Sequence, residues 1–244
     1  MAKPVLLPQE CRLINELVRY YADNQSKVKA FLEIVRNRLL EAAEDGQPLF
    51  KLVHSVKYRL KAPDHLRDKL QRIALKCRAQ KNSFNIIPDN LFLRINDLAG
   101  CRILHLYTRQ MGQIHNGLER VFEDARLELA EKPFAYVWDD EWRQYFNGLG
   151  IRTKPNPRLY SSVHYVVRPN KQTKITCEIQ VRTLADEIWG EIDHQLNYPH
   201  EHESLACRDQ IKALARATSS CGRLVDSIIV SHEEWDQNRT RKRS

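Results

Sequence analysis

Glu178, Gln180 and Arg182 occupy every second position in segment 174–182 of this 244-residue chain, and the segment alternates strictly between apolar and polar residues. Such alternation marks a half-buried strand. Ile175, Cys177, Ile179 and Val181 turn to one face, and Lys174, Thr176, Glu178, Gln180 and Arg182 turn to the other. A carboxylate, an amide and a guanidinium about 7 Å apart along one face either line a polar cleft or form an ordinary wet sheet surface. A second carboxylate, Asp97, precedes the run Leu98-Ala99-Gly100-Cys101-Arg102. An Arg within such a run is costly to bury without an anionic partner, unless its head reaches water. Asp97 and Glu178 are the two carboxylates best placed to share a hard cation. Magnesium is held in this way, through one or two carboxylates, several waters and substrate phosphates.

Any phosphate must be held by side chains, because the chain contains neither a Gly-x-x-x-x-Gly-Lys-Ser/Thr loop nor a protein-kinase signature set. Arg59, Lys61 and Lys69, with Arg67 and Arg72 nearby, form a basic group that reads either as a phosphate wall or as a solvated helix face. Tyr160 stands where a loop enters a strand, as a base-stacking ring would or as a cover on the edge of the core.

The elements that must position these residues follow from periodicity. Apolar positions at helical spacing predict helices over 8–22, 26–43, 64–80 and 110–123, the third starting at Pro63-Asp64. The run 98–107 reads as a buried central strand, 125–131 as a short strand, and 162–168 and 174–182 as a hairpin turning at Pro169-Asn170-Lys171. Residues 132–159 form a long connection with a short helix near 141–146. Leu184, Ile188, Ile192 and Leu196 define the apolar face of a further helix, with Glu187 and Glu191 on its wetter side. A last helix over 207–230 carries Ile211, Leu214, Cys221, Leu224, Val225 and Ile228 on its stripe. The expected fold is α+β, a mixed sheet of about five strands flanked by helices. The expected organisation is a helical segment 1–46, a central domain 47–200, and a C-terminal helix with a basic tail 201–244.

Lys and Arg outnumber Asp and Glu by 39 to 31, giving +8, which favours an anionic partner or simply serves solubility. Part of the excess, Arg239, Arg241, Lys242 and Arg243, lies in a tail expected to fray. The six cysteines form no CxxC pair and read as small core hydrophobes of a reducing compartment, which places the protein in the cytoplasm. No stretch approaches about eighteen apolar residues, and the start MAKPVLLPQE lacks a secretory pattern, so no membrane association is expected.

Five segments, in order, resemble the synthetase domain of the RelA/SpoT family. Arg59-Leu-Lys61 with Lys69-Leu70 resembles R-x-K…K-L, and Asp97-Leu-Ala-Gly-Cys-Arg102 resembles D-[IL]-A-G-x-R. Tyr160-Ser-Ser-Val-His164 resembles Y-x-S-[LV]-H, and Glu178-Ile-Gln-Val-Arg-Thr183 resembles E-[IV]-Q-[IV]-R-T. Trp189-Gly-Glu-Ile-Asp193-His194, running to Asn197-Tyr198, resembles W-a-x-[IL]-[ED]-H…Y. The resemblance covers about residues 50–200 and implies a nucleotidyltransferase-like synthetase domain. The implied reaction is magnesium-dependent transfer of pyrophosphate from ATP to the ribose 3′-hydroxyl of GDP or GTP, making (p)ppGpp. Carried over by motif, Asp97 and Glu178 hold magnesium, and Glu178 helps activate the hydroxyl. Arg59, Lys61, Lys69 and Arg102 bind ATP. Tyr160 stacks on the acceptor base, with His164, Gln180 and Asp193 or His194 nearby.

The chain departs from the family pattern at His65, where a Ser is usual, and at Leu159, where a Gly is usual before the Tyr. It departs again at Ser161, at Gln195 and Asn197, and in the longer connection over 132–157. No His-Asp dipeptide is present, so a stand-alone synthetase without the family's hydrolase domain is expected. The alternatives are a toxic small synthetase that modifies tRNA 3′ ends or adenosine nucleotides, with an antitoxin partner, and an inactive nucleotide- or RNA-binding module. The terminal amphipathic helices would suit a homo-oligomer or pack on their own domain.

Overall fold

The computed structural model describes residues 5–156, 161–197 and 202–241. In chain order the elements are α1 (Pro8–Glu41), β1 (Ser55–Leu60), α2 (Pro63–Ala79), α3 (Leu91–Arg94), β2 (Ala99–His105), α4 (Met111–Asp124), β3 (Glu128–Val137), α5 (Asp140–Gly148), β4 (Arg152–Pro155), β5 (Ser162–Arg168), β6 (Cys177–Thr183), α6 (Leu184–Asn197) and α7 (Leu205–Arg241). The strands form one mixed sheet in the order β1-β2-β6-β5-β3-β4. The pairs β2–β6 and β3–β4 are parallel, and the others are antiparallel. The fold is therefore α+β as expected, with six strands where about five were read.

The apolar face of the sheet packs on α1, α2 and α4 in a single core. Leu66, Leu70 and Ala74 of α2 recur at helical spacing and are fully buried. Cys101, Ile103, Ile179 and Val181 face them from β2 and β6. The predicted hairpin forms between β5 and β6, although β6 begins at Cys177 rather than at 174. Asn170 explains the delay: its side-chain oxygen accepts from the backbone of Gln172 and Thr173, which holds the chain in a turn.

Five expectations are corrected. The two N-terminal helices are one, α1, because the polar stretch at Asp23–Ser26 contains no Gly or Pro to break it. The connection over 132–159 is largely regular: β3 runs on to Val137, and α5 follows, its Asp139 side chain capping Trp142 N at 2.9 Å, with β4 after it. On α6 the face read as apolar is outermost, Ile188 being 58% exposed, while Glu187, Trp189 and Asp193 are buried. The buried stripe of α7 is Ile211, Ala215, Thr218, Gly222 and Asp226, whereas Leu224 and Ile228 are exposed; Arg239 and Arg241 lie within the helix. Of the cysteines, Cys101 and Cys177 are buried, while Cys11 and Cys221 are exposed. Among the described residues, no helix is long and apolar enough to cross a membrane.

Asp226 ties α7 to the sheet. Its carboxylate accepts from the backbone N–H groups of Arg109 (2.9 Å) and Thr108 (3.3 Å), just beyond β2. Nearby, His105 is buried with Nδ1 3.0 Å from the Tyr107 carbonyl, and burial pulls its pKa down to about 4. The folded-state value thus lies below the unfolded one. The stability held by the neutral imidazole is whole above about pH 6.5 and is lost as pH falls from there to about 4, a change of about 3 kcal/mol. Urea unfolding of the wild type should show this loss, and His105→Gln should lack it. Equal pH slopes in the two proteins would refute the assignment.

Candidate active site

The polar face of the sheet is assembled by strand register. Gly100 lies opposite Glu178, and Arg102 opposite Gln180, across the parallel β2–β6 pair. On the other flank Lys57 lies opposite Arg102, and Arg59 opposite Gly100. Side chains alternate along a strand, so these residues share one face. With α6 across one side, that face encloses a cavity of about 870 Å³. The row Glu178-Gln180-Arg182 is therefore the wall of a cleft and not a wet sheet surface.

Asp97 sits in a single helical turn just before β2. Lys61 Nζ approaches one carboxylate oxygen at 3.0 Å and Lys69 Nζ the other at 2.7 Å. Burial would raise the pKa of this carboxyl, but the two ammonium groups outweigh it and hold the value down to about 2. Lys61 is itself only 8% exposed, and its burial lowers its pKa against the pull of Asp97. The Lys61 backbone is fixed as well, since Tyr21 Oη donates to its carbonyl at 2.6 Å.

Glu178 faces the same cavity from β6. One oxygen lies 3.0 Å from His164 Nδ1, and the other accepts from Gln180 Nε2 at 2.7 Å. Burial alone would raise its pKa; His164 and Gln180 bring it below the usual value, while the charge of Asp97 opposes them. The two carboxylates are thus both ionised and close enough to feel one another. His164 Nε2 is 2.5 Å from Ser162 Oγ, and the ring stacks on Phe134 with centroids 5.1 Å apart. The imidazole is held from both nitrogens and from one face.

Arg102 is mostly buried and paired. Its Nη1 bonds both oxygens of Glu187, at 2.8 and 3.0 Å, and Glu191 at 2.6 Å. The anionic partner its burial demands is carried by α6. This explains why α6 buries charge rather than Ile188: the sheet face beneath it is itself charged.

The residues singled out by sequence come together with few exceptions. Asp97, Glu178, Arg59, Arg102, Gln180, Asp193 and His194 all line the cavity. Lys61 and Lys69 stand behind Asp97, and His164 stands behind Glu178. Asp193 is buried and accepts from Asn197 Nδ2 at 2.8 Å. His194 has its pKa lowered, first by burial and then by Arg59. Tyr160 lies outside the described residues, as do Leu159 and Tyr198. Lys57 and Tyr136 also line the cavity and were missed. Lys57 shares the period of two with Arg59, a signal hidden because β1 was not recognised. Tyr136 lay in the stretch read as a connection.

Asp97 and Glu178, both ionised, line the cavity along with Glu191 and Asp193, and among the described residues no group of three or more His, Cys, Asp or Glu side chains could hold a metal ion. That donor set suits a hard cation that brings waters and phosphate oxygens with it, and not a closed protein cage.

The fold is that of the small alarmone synthetases. Small alarmone synthetase 1 from Bacillus subtilis superimposes with a TM-score of 0.53 at 22% identity, over 88% of this chain and 97% of that one. Small alarmone synthetase 2 from the same organism gives 0.54 at 17%, over 86% and 98%. A GTP pyrophosphokinase family protein from Streptococcus pneumoniae gives 0.52 at 18%, over 90% and 94%. The chain belongs to the RelA/SpoT family: residues 58–203 match the region found in RelA / SpoT proteins. No curated protein matches the chain.

Proposed function

We propose that this chain is an ATP-dependent pyrophosphokinase that moves the β,γ-pyrophosphate of ATP to the 3′-hydroxyl of GDP or GTP, making (p)ppGpp. The observation that carries the reading is that Asp97 and Glu178, both ionised, line one cavity together with Lys57, Arg59, Arg72, Arg102 and Arg182. Family membership supports the reaction type. Residues 47–200 form the catalytic unit, with α1 and α7 added at its ends.

Asp97 and Glu178 would hold magnesium, which when bound neutralises phosphate charge and draws electron density from the phosphorus. Lys57, Arg59 and Arg102 face the triphosphate and meet the negative charge that spreads over its oxygens during transfer. The acceptor oxygen O3′ bonds to the β-phosphorus as the bond from that phosphorus to the α-phosphate oxygen breaks, and AMP departs. Glu178 orients the hydroxyl and takes its proton. A carboxylate of lowered pKa is a weak base towards a free hydroxyl, so the proton moves only as the new O–P bond forms. Gln180 and His164 keep that carboxylate aimed into the cavity.

The test is incubation of the pure protein with γ-labelled ATP, magnesium and, separately, GDP, GTP, AMP or tRNA. Label on GDP and GTP, with AMP released in equal amount, is the expected result. Label on tRNA or AMP alone would overturn the acceptor assignment and keep the chemistry. Transfer to none of the four would leave a nucleotide-binding module.

A further inference from the structure

The α6 carboxylate of Glu187 has no part in the reaction above, and its side chain is only 7% exposed. Cations from three neighbouring strands converge on it: Lys57 of β1 at 2.8 Å, Arg102 of β2 at 2.8 Å and Arg182 of β6 at 3.4 Å. A continuous chain of hydrogen bonds leads onward from the last of these. Arg182 Nη2 donates to Gln180 Oε1 at 2.7 Å, and Gln180 Nε2 donates to Glu178 Oε2 at 2.7 Å. One buried carboxylate therefore touches the cationic wall directly and the reacting carboxylate through two intermediaries.

A buried ionic hub is a poor way to gain stability. Well-packed apolar groups in its place are often neutral or better, because each ion must be stripped of water. What a buried ionic group can supply is fixed geometry. Here three positive side chains stand side by side on adjacent strands and repel one another, and an anion beneath them lets all three point the same way. Glu191, the other partner of Arg102, is 57% exposed and free to swing into water when phosphate arrives. Glu187 is enclosed by the sheet and stays.

We propose that Glu187 is the positioning residue for both halves of the site: it holds Lys57 and Arg102 towards the donor phosphates, and through Arg182 and Gln180 it fixes the carboxylate of Glu178. This rests on the pyrophosphokinase reading for its kinetic part. Its binding part does not need turnover.

The experiment compares Glu187→Gln, Arg182→Lys and the double variant with the wild type. It measures the Kd of a non-hydrolysable ATP analogue by calorimetry, and kcat with ATP and GDP. Glu187→Gln should weaken analogue binding about 10-fold and lower kcat about 50-fold. Arg182→Lys keeps the positive charge beside Glu187 but lacks the fork that also reaches Gln180, so it should lower kcat about 20-fold with the analogue Kd within about 2-fold. The double variant should be no more than about 2-fold slower than Glu187→Gln alone, because residues on one chain are coupled rather than additive. Kcat losses that multiply, or a Glu187→Gln protein with wild-type Kd and kcat, would overturn the proposal. Should Glu187→Gln not fold, Arg182→Lys decides alone: wild-type kcat there overturns it. A wild type that binds the analogue but transfers nothing would instead sink the pyrophosphokinase reading and leave the binding comparison standing.

Discussion

Glu178→Gln should reduce kcat by about 1,000-fold or more, a loss of roughly 4 kcal/mol of transition-state stabilisation, while the KM for ATP changes only a few-fold. The substitution keeps the shape of the side chain and removes its charge. The fold should tolerate it. Gln180 already gives its amide N–H to one oxygen of Glu178, and its own oxygen is committed to Arg182. The new amide nitrogen therefore turns to His164, whose Nδ1 can accept once Nε2–H donates to Ser162. An unchanged near-ultraviolet circular dichroism spectrum would check this. A variant that kept a tenth of the wild-type kcat would remove Glu178 from the chemistry, and the reaction assignment with it.

Asp97→Asn should produce two separate losses. Activity falls about 100-fold or more, and the magnesium concentration for half-maximal rate rises at least about 10-fold, because one of two ionised ligands is gone. Stability falls by about 3 kcal/mol, because Lys61 is left buried without its counter-charge. For a chain of this size that is roughly a 10 °C drop in Tm. Lys69 suffers less, since its side chain is 30% exposed and can turn to water. The two losses come apart in Asp97→Asn/Lys61→Met. Removing both partners leaves no unpaired buried charge, so the melting temperature recovers while activity does not. A double variant no more stable than the single one would show that the Lys61 pair is not the source of the destabilisation.

The legible parts of this chain were those where a single period dominated. β2, β5 and β6 announced themselves because their apolar faces are unbroken, and α2 and α4 because their buried residues recur at helical spacing. The two carboxylates were legible for the same reason: each interrupts, or directly precedes, a strand whose other residues are accounted for. β1 was missed although Val56, Tyr58 and Leu60 alternate with Lys57 and Arg59; the stretch is short and none of its side chains is fully buried, as befits an edge strand. The mistaken face of α6 is the more instructive case. Periodicity reports where hydrophobic residues recur, and a helix is assumed to bury them. Lys57, Arg102 and Arg182 make the surface under α6 cationic, so Glu187 turns inward and Ile188 outward. That reversal could have been inferred only by first knowing which strands are neighbours. The role of His164 was obscured similarly, because its partner Glu178 lies on the adjacent strand, opposite Val166 rather than His164 itself.

Among the described residues the sheet ends on β4, a four-residue strand paired on one side only. An unpaired strand edge is a template on which a second molecule can add its own backbone, and such additions grow into aggregates. This edge is poorly suited to growth. Arg152 and Lys154 are exposed there, and Pro155 has no N–H to offer. The opposite rim, β1, carries Lys57 and Arg59. Charge repulsion and a missing donor thus discourage intermolecular polymerisation at both margins, and the lysine and arginine of β1 that line the cavity also help keep the protein dispersed at high concentration.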